Sequence, residues 1–184
     1  GWLQIPEAVN SLTVRDSIID SPGTRPALAG NVTGQQPAPR TTLERVTIFG
    51  DVHVTELTLA SEVIFNAPVI SQRRQAGCVR FSYIAENSQT PRRYQCQPDT
   101  ALESVVSKAE RQRVLDRLTP VFTARRYGNP AYAQLALITA AEIRAGAENG
   151  AEMGVFNSLM QPQRETNLRT RLNEYLPFGL EPSF

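Results

Sequence analysis

Hydrophobic and polar residues alternate in the first and third of three similar segments, which begin at Val14, Leu43 and Leu59 and are all rich in β-branched residues. A fourth alternating segment, residues 51–55, lies between the last two copies. Alternation of this kind predicts β-strands with one buried face. Short strands that recur with turns between them cannot bury that face alone, so they are expected to stack on one another. We therefore predict a short right-handed parallel β-helix, a solenoid, over residues 1–75.

The repeat has an irregular spacing, because its copies begin 29 and 16 residues apart. The longer gap contains residues 21–40, which hold four prolines and three glycines. Proline lacks a backbone donor and glycine accepts positive φ, so this segment is predicted to be a loop inserted between strands. A loop of this kind is either a binding loop or an insertion without a role of its own.

Two further strand patterns, residues 78–83 and 92–96, flank the polar loop 84–91. We predict that they form an antiparallel β-hairpin over residues 76–98 that caps the open end of the β-helix. This pairing places Cys78 near Cys96, either as a cross-strand disulfide or as two neighbouring thiols. A nucleophilic cysteine is a further alternative, and it requires His53 to lie nearby.

A helical periodicity replaces the strand pattern in residues 99–184. Capping-box sequences at Thr100–Glu103 and Thr139–Glu142 predict two helix starts, and residues 166–176 predict a last helix with Leu168, Leu172 and Tyr175 on its buried stripe. The predicted fold is therefore mainly β with α, with three parts: coils in 1–75, a hairpin in 76–98 and a helical C-terminal segment in 99–184.

Several segments carry a family resemblance, and residues 75–83, 90–98, 127–135 and 161–176 bear it most clearly. Together they resemble a family of large bacterial proteins with no established activity. The resemblance implies a β-helix followed by a cysteine-containing hairpin and a helical segment. It implies no catalytic residues. The chain departs from the family pattern at residues 179–184, where the relatives continue in apolar residues.

Composition excludes few classes. At 184 residues, with 41% apolar and 20% charged side chains, the chain has the composition of a soluble globular protein. No run reaches the roughly 18–20 apolar residues of a membrane span, so no membrane span is predicted. The N-terminal residues lack the pattern of a signal peptide and do not begin with methionine. We expect a piece of a longer chain and predict no compartment.

Asp51 and His53 are the weak catalytic candidates, because they alternate on the outward face of one predicted strand. A carboxylate beside an imidazole can act in general acid–base chemistry on a polysaccharide. Against this, His53 is the single histidine in the chain, and the default interpretation is a solvated polar face. Two cysteines and one distant histidine do not supply the four ligands of a zinc site, so we expect neither a metal nor a cofactor.

Positive charge is concentrated in residues 73–126, which hold 11 basic and 5 acidic side chains. The chain as a whole has 18 arginines and one lysine. These arginines could bind an anionic polymer such as an acidic glycan, or they could form ion pairs within the chain, and we favour the ion pairs. A nucleic-acid partner is not expected. The candidate binding residues are Arg73, Arg74, Arg80, Arg92, Arg93, Arg125 and Arg126.

The leading functional prediction is a non-enzymatic structural or binding module, the C-terminal piece of a larger protein that serves in assembly or in surface and ligand attachment. The alternatives are a carbohydrate-active lyase or hydrolase that uses Asp51 and His53, and an anion-binding surface made by the arginines. The expected partners are the rest of the parent chain or other subunits, an anionic glycan, and a second copy in a homo-oligomer, because unpaired strand edges favour association.

Overall fold

The computed structural model describes residues 2–6, 8–21, 23, 25–163, 166, 167 and 170. It contains eleven strands within these residues, and they alternate with turns as far as residue 94. In chain order they are β1 (Leu3–Gln4), β2 (Ser11–Asp20), β3 (Leu28–Ala29), β4 (Arg40–Phe49), β5 (Val52–Val54), β6 (Leu57–Ser61), β7 (Ile64–Phe65), β8 (Val69–Ser71), β9 (Cys78–Arg80), β10 (Tyr83–Ile84) and β11 (Arg92–Tyr94).

The strands form two sheets in which the named strands pair in parallel. The smaller sheet has the order β1-β3-β5-β8. The larger sheet has seven strands in the order β10-β7-β4-β6-β9-β11, with β2 paired to the free side of β4. The first two copies of the repeated sequence lie side by side, with Val14 opposite Leu43 and Ile19 opposite Ile48. The third copy is shifted by one residue, because Leu43 lies opposite Ala60.

A column of residues with positive φ bends the larger sheet into a half-barrel. The bend falls inside β2 and β4, between β6 and β7, between β9 and β10, and just after β11. None of its members is a glycine, although non-glycine residues rarely adopt positive φ. The ladders on either side hold these residues in place. They are Asp16, Arg45, Glu62, Phe81 and Gln95, with φ between 47° and 59°.

The smaller sheet faces the concave side of the half-barrel, and a single apolar core fills the space between them. Val52 and Val54 of β5 point into this core, while His53 points away from it, as the alternation of a strand requires. Leu43, Val46 and many other core side chains are fully buried. Leu12 and Val14 of β2 pack against the same core but remain partly exposed.

The prediction of a β-helix over residues 1–75 is wrong. The strands form a half-barrel of seven strands and a separate sheet of four, and the larger sheet continues beyond residue 75 through β9, β10 and β11. The irregular repeat explains this result. Copies spaced 29 and 16 residues apart cannot build equal turns, and one ten-residue strand, β4, pairs with the two shorter strands β6 and β7.

The predicted hairpin over residues 76–98 is also wrong, because β9 and β11 pair in parallel. Cys78 lies opposite Arg92, and Arg80 lies opposite Tyr94. In this register Cys96 lies beyond the end of the ladder, on the far side of the bend. Both cysteines are free thiols, so the structure contains no disulfide between Cys78 and Cys96. Period-two alternation is the same for parallel and antiparallel strands, so it did not reveal the direction.

Short helices and irregular chain follow the strands. The helices are α1 (Asp99–Leu102), α2 (Lys108–Leu118) and α3 (Ala141–Arg144), with a 3₁₀ turn at Asn157–Leu159. The segment predicted to be helical from residue 99 is helical only in these short elements over residues 99–163, although α1 and α3 lie at the predicted helix starts. Val106, between α1 and α2, is fully exposed. The last predicted helix, with Leu168, Leu172 and Tyr175, extends outside the described residues.

This later segment docks on the outer face of the half-barrel. Its Ile143 and Met153 form a small apolar cluster with Ile64 and Tyr83 from the sheet. The Gly154 amide donates to the Glu62 carbonyl at 2.8 Å. Glycine is needed at this position, because its φ is +91° and an added Cβ would lie 2.5 Å from the Thr47 hydroxyl oxygen.

Candidate ligand-binding site

Asp51 and His53 line the same cleft, which lies beside β5 and has a volume of about 210 Å³. Gly50 ends β4 with a turn, and the alternation of β5 then buries Val52 and directs the side chains of Asp51 and His53 outward. We call this space the His53 cleft. The inserted loop supplies its far wall, and the complete lining is Pro26, Thr33, Gly34, Asp51, Val52, His53, Pro68 and Ile70.

The His53 ring is fixed by a hydrogen bond to the inserted loop. Its Nδ1 atom lies 2.7 Å from the carbonyl oxygen of Gly34. Because a carbonyl oxygen only accepts hydrogen bonds, Nδ1 carries the proton in the neutral imidazole, and Nε2 keeps a lone pair. The sequence of the loop makes this contact possible, since Gly34 adopts a φ of +76°. Nε2 can therefore accept a hydrogen bond or a proton.

A second cleft adjoins the first and shares Asp51 with it. Its volume is about 260 Å³, and it lies where β4 turns into β5. We call it the Arg25–Arg125 cleft, because two guanidinium groups line it. Its complete lining is Ser21, Gly23, Arg25, Phe49, Gly50, Asp51, Asn66, Ala67 and Arg125.

Both guanidinium groups of this cleft rest on aromatic rings. The Arg125 guanidinium carbon lies 4.6 Å from the centre of the Phe49 ring. The Arg25 guanidinium carbon lies 5.5 Å from the centre of the Trp2 ring. Cation–π contacts of this kind hold a positive charge in place and leave the guanidinium N–H groups free for an anion.

The hydroxyl of Ser21 is the most unusual polar group of the cleft. Ser21 is 8% exposed. Its Oγ atom is buried and has no hydrogen-bond partner among the residues that the structure describes. A buried hydroxyl without a partner destabilises the fold by about 1–3 kcal/mol.

Residues 122–132 carry Arg125 to this position, and contacts with the strands hold them there. The ring of Phe122 packs edge-on against Phe49, with 4.8 Å between the ring centres. The Tyr132 hydroxyl donates to an Asp20 carboxylate oxygen at 2.5 Å. Burial and this hydrogen bond raise the pKa of Tyr132, so its hydroxyl stays protonated and remains a donor.

Three of the other predicted binding arginines form ion pairs within the chain. Arg73 pairs with Glu56 at 3.5 Å, Arg80 pairs with Glu148 at 3.7 Å, and Arg93 pairs with Asp99 at 3.0 Å. Three more arginines are exposed and make no ion pair with any described residue, namely Arg74, Arg92 and Arg126. Arg125 is thus the one member of the predicted set that lines the Arg25–Arg125 cleft.

Sequence reasoning missed Arg25, Ser21 and Asn66. Arg25 lies in the proline- and glycine-rich insertion, and a cationic side chain in such a loop was the one signal that could have found it. Ser21 and Asn66 follow strands β2 and β7, and nothing in their local sequence distinguishes them from ordinary turn residues.

The two cysteines belong to neither cleft. Burial raises the pKa of the Cys96 thiol to about 11, and its sulfur lies 3.4 Å from the carbonyl oxygen of Val79. A protonated, buried thiol is a poor nucleophile, so the nucleophilic alternative has no support at Cys96.

No group of three or more histidine, cysteine or acidic side chains is arranged to hold a metal ion in the described part of the chain. Within the same residues, no helix has the length and apolar character needed to cross a membrane.

Comparison with known proteins gave no relative: no family model matches the chain, and no similar curated protein or solved structure was found. The resemblance to a family of large bacterial proteins therefore stays a prediction.

Proposed function

We propose that this chain is a non-enzymatic binding module that attaches an acidic glycan in the two adjoining clefts. The observation that supports this proposal best is the Arg25–Arg125 cleft, where two guanidinium groups line one open space together with Asp51 and Asn66. Asp51 is the one acidic side chain in the lining, so the cleft carries a net positive charge. Such a site favours a ligand with a carboxylate or sulfate group.

Sugar chemistry fits the remaining lining residues. A uronate carboxylate can accept hydrogen bonds from Arg25 and Arg125, and its ring hydroxyls can bond with Asp51 and Asn66. The His53 cleft continues from Asp51 and offers the Nε2 acceptor of His53 to a neighbouring sugar unit. Two connected clefts on an open surface suit a polymer better than a small compact ligand.

Titration with polygalacturonate, followed by calorimetry and by affinity electrophoresis, tests the proposal. We expect binding to the acidic polymer and none to dextran, a neutral control of similar size. Arg25→Gln and Arg125→Gln should each weaken binding by about tenfold or more, which corresponds to about 1.4 kcal/mol. The matched control is Arg126→Gln, which removes the same charge from the adjacent exposed position outside the cleft and should change binding less than about twofold.

Two results would contradict the proposal. One is an equal loss of affinity in Arg125→Gln and Arg126→Gln, which would indicate a nonspecific effect of net charge. The other is no binding of acidic polysaccharides at low salt, where electrostatic attraction is greatest.

Catalysis by Asp51 and His53 is a second candidate, favoured by one observation. The Gly34 carbonyl fixes the tautomer of His53 so that Nε2 keeps its lone pair, and Asp51 lines the same cleft. An imidazole held in this way can take a proton from a sugar or from water. If polygalacturonate is shortened by the wild-type chain and not by His53→Gln, the module is an enzyme. Binding without shortening supports the non-enzymatic proposal.

A further inference from the structure

The outer edge of β2 is an open strand edge ten residues long. β2 pairs with β4 on one side, and no strand of the described chain pairs with its other side. Its apolar residues Leu12 and Val14 contact the core but remain partly exposed. An exposed edge presents unpaired N–H and C=O groups that can pair with a further strand.

Charges alternate from strand to strand at the bend of the larger sheet. Asp16 of β2 accepts hydrogen bonds from Arg45 of β4 at 2.6 and 3.0 Å. The hydrogen bond with Asp16 raises the pKa of Arg45, and the charge of Glu62 in the next layer raises it further. The bend column therefore runs acidic, basic, acidic. In the adjacent column, Arg15 pairs with Glu44 at 2.9 Å.

This alternation ends at the open edge with Arg15 and Asp16, whose charged groups each have a partner on β4 but are still about half exposed to solvent. The Arg15 side chain is 59% exposed and the Asp16 side chain is 51% exposed. Opposite charges at directly facing positions stabilise a pair of strands, whereas like charges destabilise it. An added parallel strand would therefore be favoured if it carried an acidic residue opposite Arg15 and a basic residue opposite Asp16.

We propose that β2 is a docking edge for a parallel strand from a partner polypeptide that carries an acidic–basic pair at the bend and apolar residues opposite Val14 and Ile19. The chain contains one sequence of this kind, because β4 presents Glu44 and Arg45 to the inner side of β2. A second copy of the chain docked in the same parallel register would place Arg15 against Arg15 and Asp16 against Asp16. That parallel contact is disfavoured, so a parallel partner strand is expected to come from a different segment.

Peptides that copy β4 test this inference on the intact chain. The first peptide has the sequence of residues 40–49, RTTLERVTIF, and the second exchanges the two charges, RTTLREVTIF. Both peptides have the same composition and net charge, so nonspecific electrostatic and hydrophobic binding to the chain should be equal for the two. We expect the first peptide to bind at least about tenfold more tightly in fluorescence anisotropy. Amide exchange should slow between residues 12 and 19 of the chain when the first peptide is bound.

Three outcomes would overturn the inference. Equal binding of both peptides would show that the β2 edge does not discriminate between the two orders of the acidic and basic residues. No binding of either peptide at about 1 mM would show that the edge does not accept a strand at useful affinity. Self-association of the chain that protects the same amides, measured by sedimentation over a range of concentrations, would assign the edge to a second copy instead.

Discussion

The strand-built part of the molecule, residues 11–98, and the later segment, residues 99–163, bury their apolar side chains in different ways. In the strand-built part, ladders on both sides of most strands fix the backbone, and side chains such as Leu43 and Val46 are completely enclosed. In the later segment, α2 buries only Leu118 among its eleven residues. Leu137 and Ile138 are 59% and 80% exposed in the same segment.

This difference shows where local sequence pattern decides structure. A strand inside a ladder has its orientation set by its neighbours, so period-two alternation translates directly into burial. The later segment is placed by a few docking contacts instead. Gly154 binds the Glu62 carbonyl, and Tyr132 binds Asp20, both far away in sequence. Periodicity within the segment contains no information about such contacts.

The largest expected effect compares two fully buried leucines, one in each region. Leu43→Ala should lower the free energy of unfolding by about 3–5 kcal/mol, because the enclosed core between the sheets cannot collapse onto the cavity. Leu118→Ala should cost about 2–3 kcal/mol, because the irregular chain around it can relax. Urea unfolding measures both values. Leu137→Ala is the exposed control and should cost under about 0.5 kcal/mol. A loss at Leu118 as large as that at Leu43 would remove the proposed difference in rigidity.

The parts of the fold that the sequence predicts are those set by neighbouring strands. The similarity of the first two repeats anticipates the alignment of Val14 with Leu43, and the alternation of β5 anticipates that His53 faces away from the core. The bend could not be predicted, since Asp16, Arg45 and Phe81 share no chemical property that favours positive φ. Without knowledge of the bend, the half-barrel does not follow from the sequence, and the predicted β-helix is wrong.

The candidate site was predicted in part, for the same physical reason. Asp51 and His53 were found because they are close in sequence on one strand. Arg25 and Arg125 are 100 positions apart, and their convergence depends on how residues 122–132 dock against Phe49. No local sequence pattern indicates that two residues so far apart in the chain lie in the same cleft.

The next largest expected effect is on the pH dependence of stability, and it comes from Glu152, a carboxylic acid of the later segment that is only 4% exposed. Burial raises the pKa of this carboxyl to about 7, although the nearby Arg144 lowers it. Between the ordinary value of 4.5 and about 7, the folded state holds the proton more tightly than the unfolded state does. Stability therefore falls as pH rises through this window and stays lower above it.

Glu152→Gln should abolish this dependence and should raise the free energy of unfolding at pH 8 by about 1–3 kcal/mol relative to the wild type. Unfolding curves at pH 5 and pH 8 for both proteins measure the effect as a double difference, which cancels other titrating groups. Glu110→Gln, on the exposed surface of α2, is the control and should leave the pH dependence unchanged. A wild-type chain that is as stable at pH 8 as Glu152→Gln would contradict the assignment.

The smallest expected effect compares one ion pair from each region by double-mutant cycles. Asp16 and Arg45 are joined by two hydrogen bonds, and the β2–β4 ladder already fixes the backbone beneath both side chains. Arg117 and Glu142 are joined at 2.7 Å between α2 and α3, two short elements held mainly by tertiary contacts. Fixing an exposed pair costs side-chain entropy, and less is lost where the geometry is already set. We expect a coupling energy of about 0.5–1 kcal/mol for the first pair and about 0.2–0.5 kcal/mol for the second.

The pH dependence of the Asp16–Arg45 cycle checks that the coupling is electrostatic. The hydrogen bond from Arg45 lowers the pKa of Asp16 below its ordinary value of 3.8. The folded state therefore favours the charged carboxylate, and the stabilisation is present above pH 3.8 and is lost as the pH falls through the lowered value. Cycles at pH 7 should show a coupling that shrinks at high salt as screening increases, and cycles at a pH below the lowered pKa of Asp16 should show none. Equal coupling energies for the two pairs would mean that the β2–β4 ladder does not hold its charged side chains in place. The preference of the open β2 edge for a strand with an acidic–basic pair would then have no physical basis.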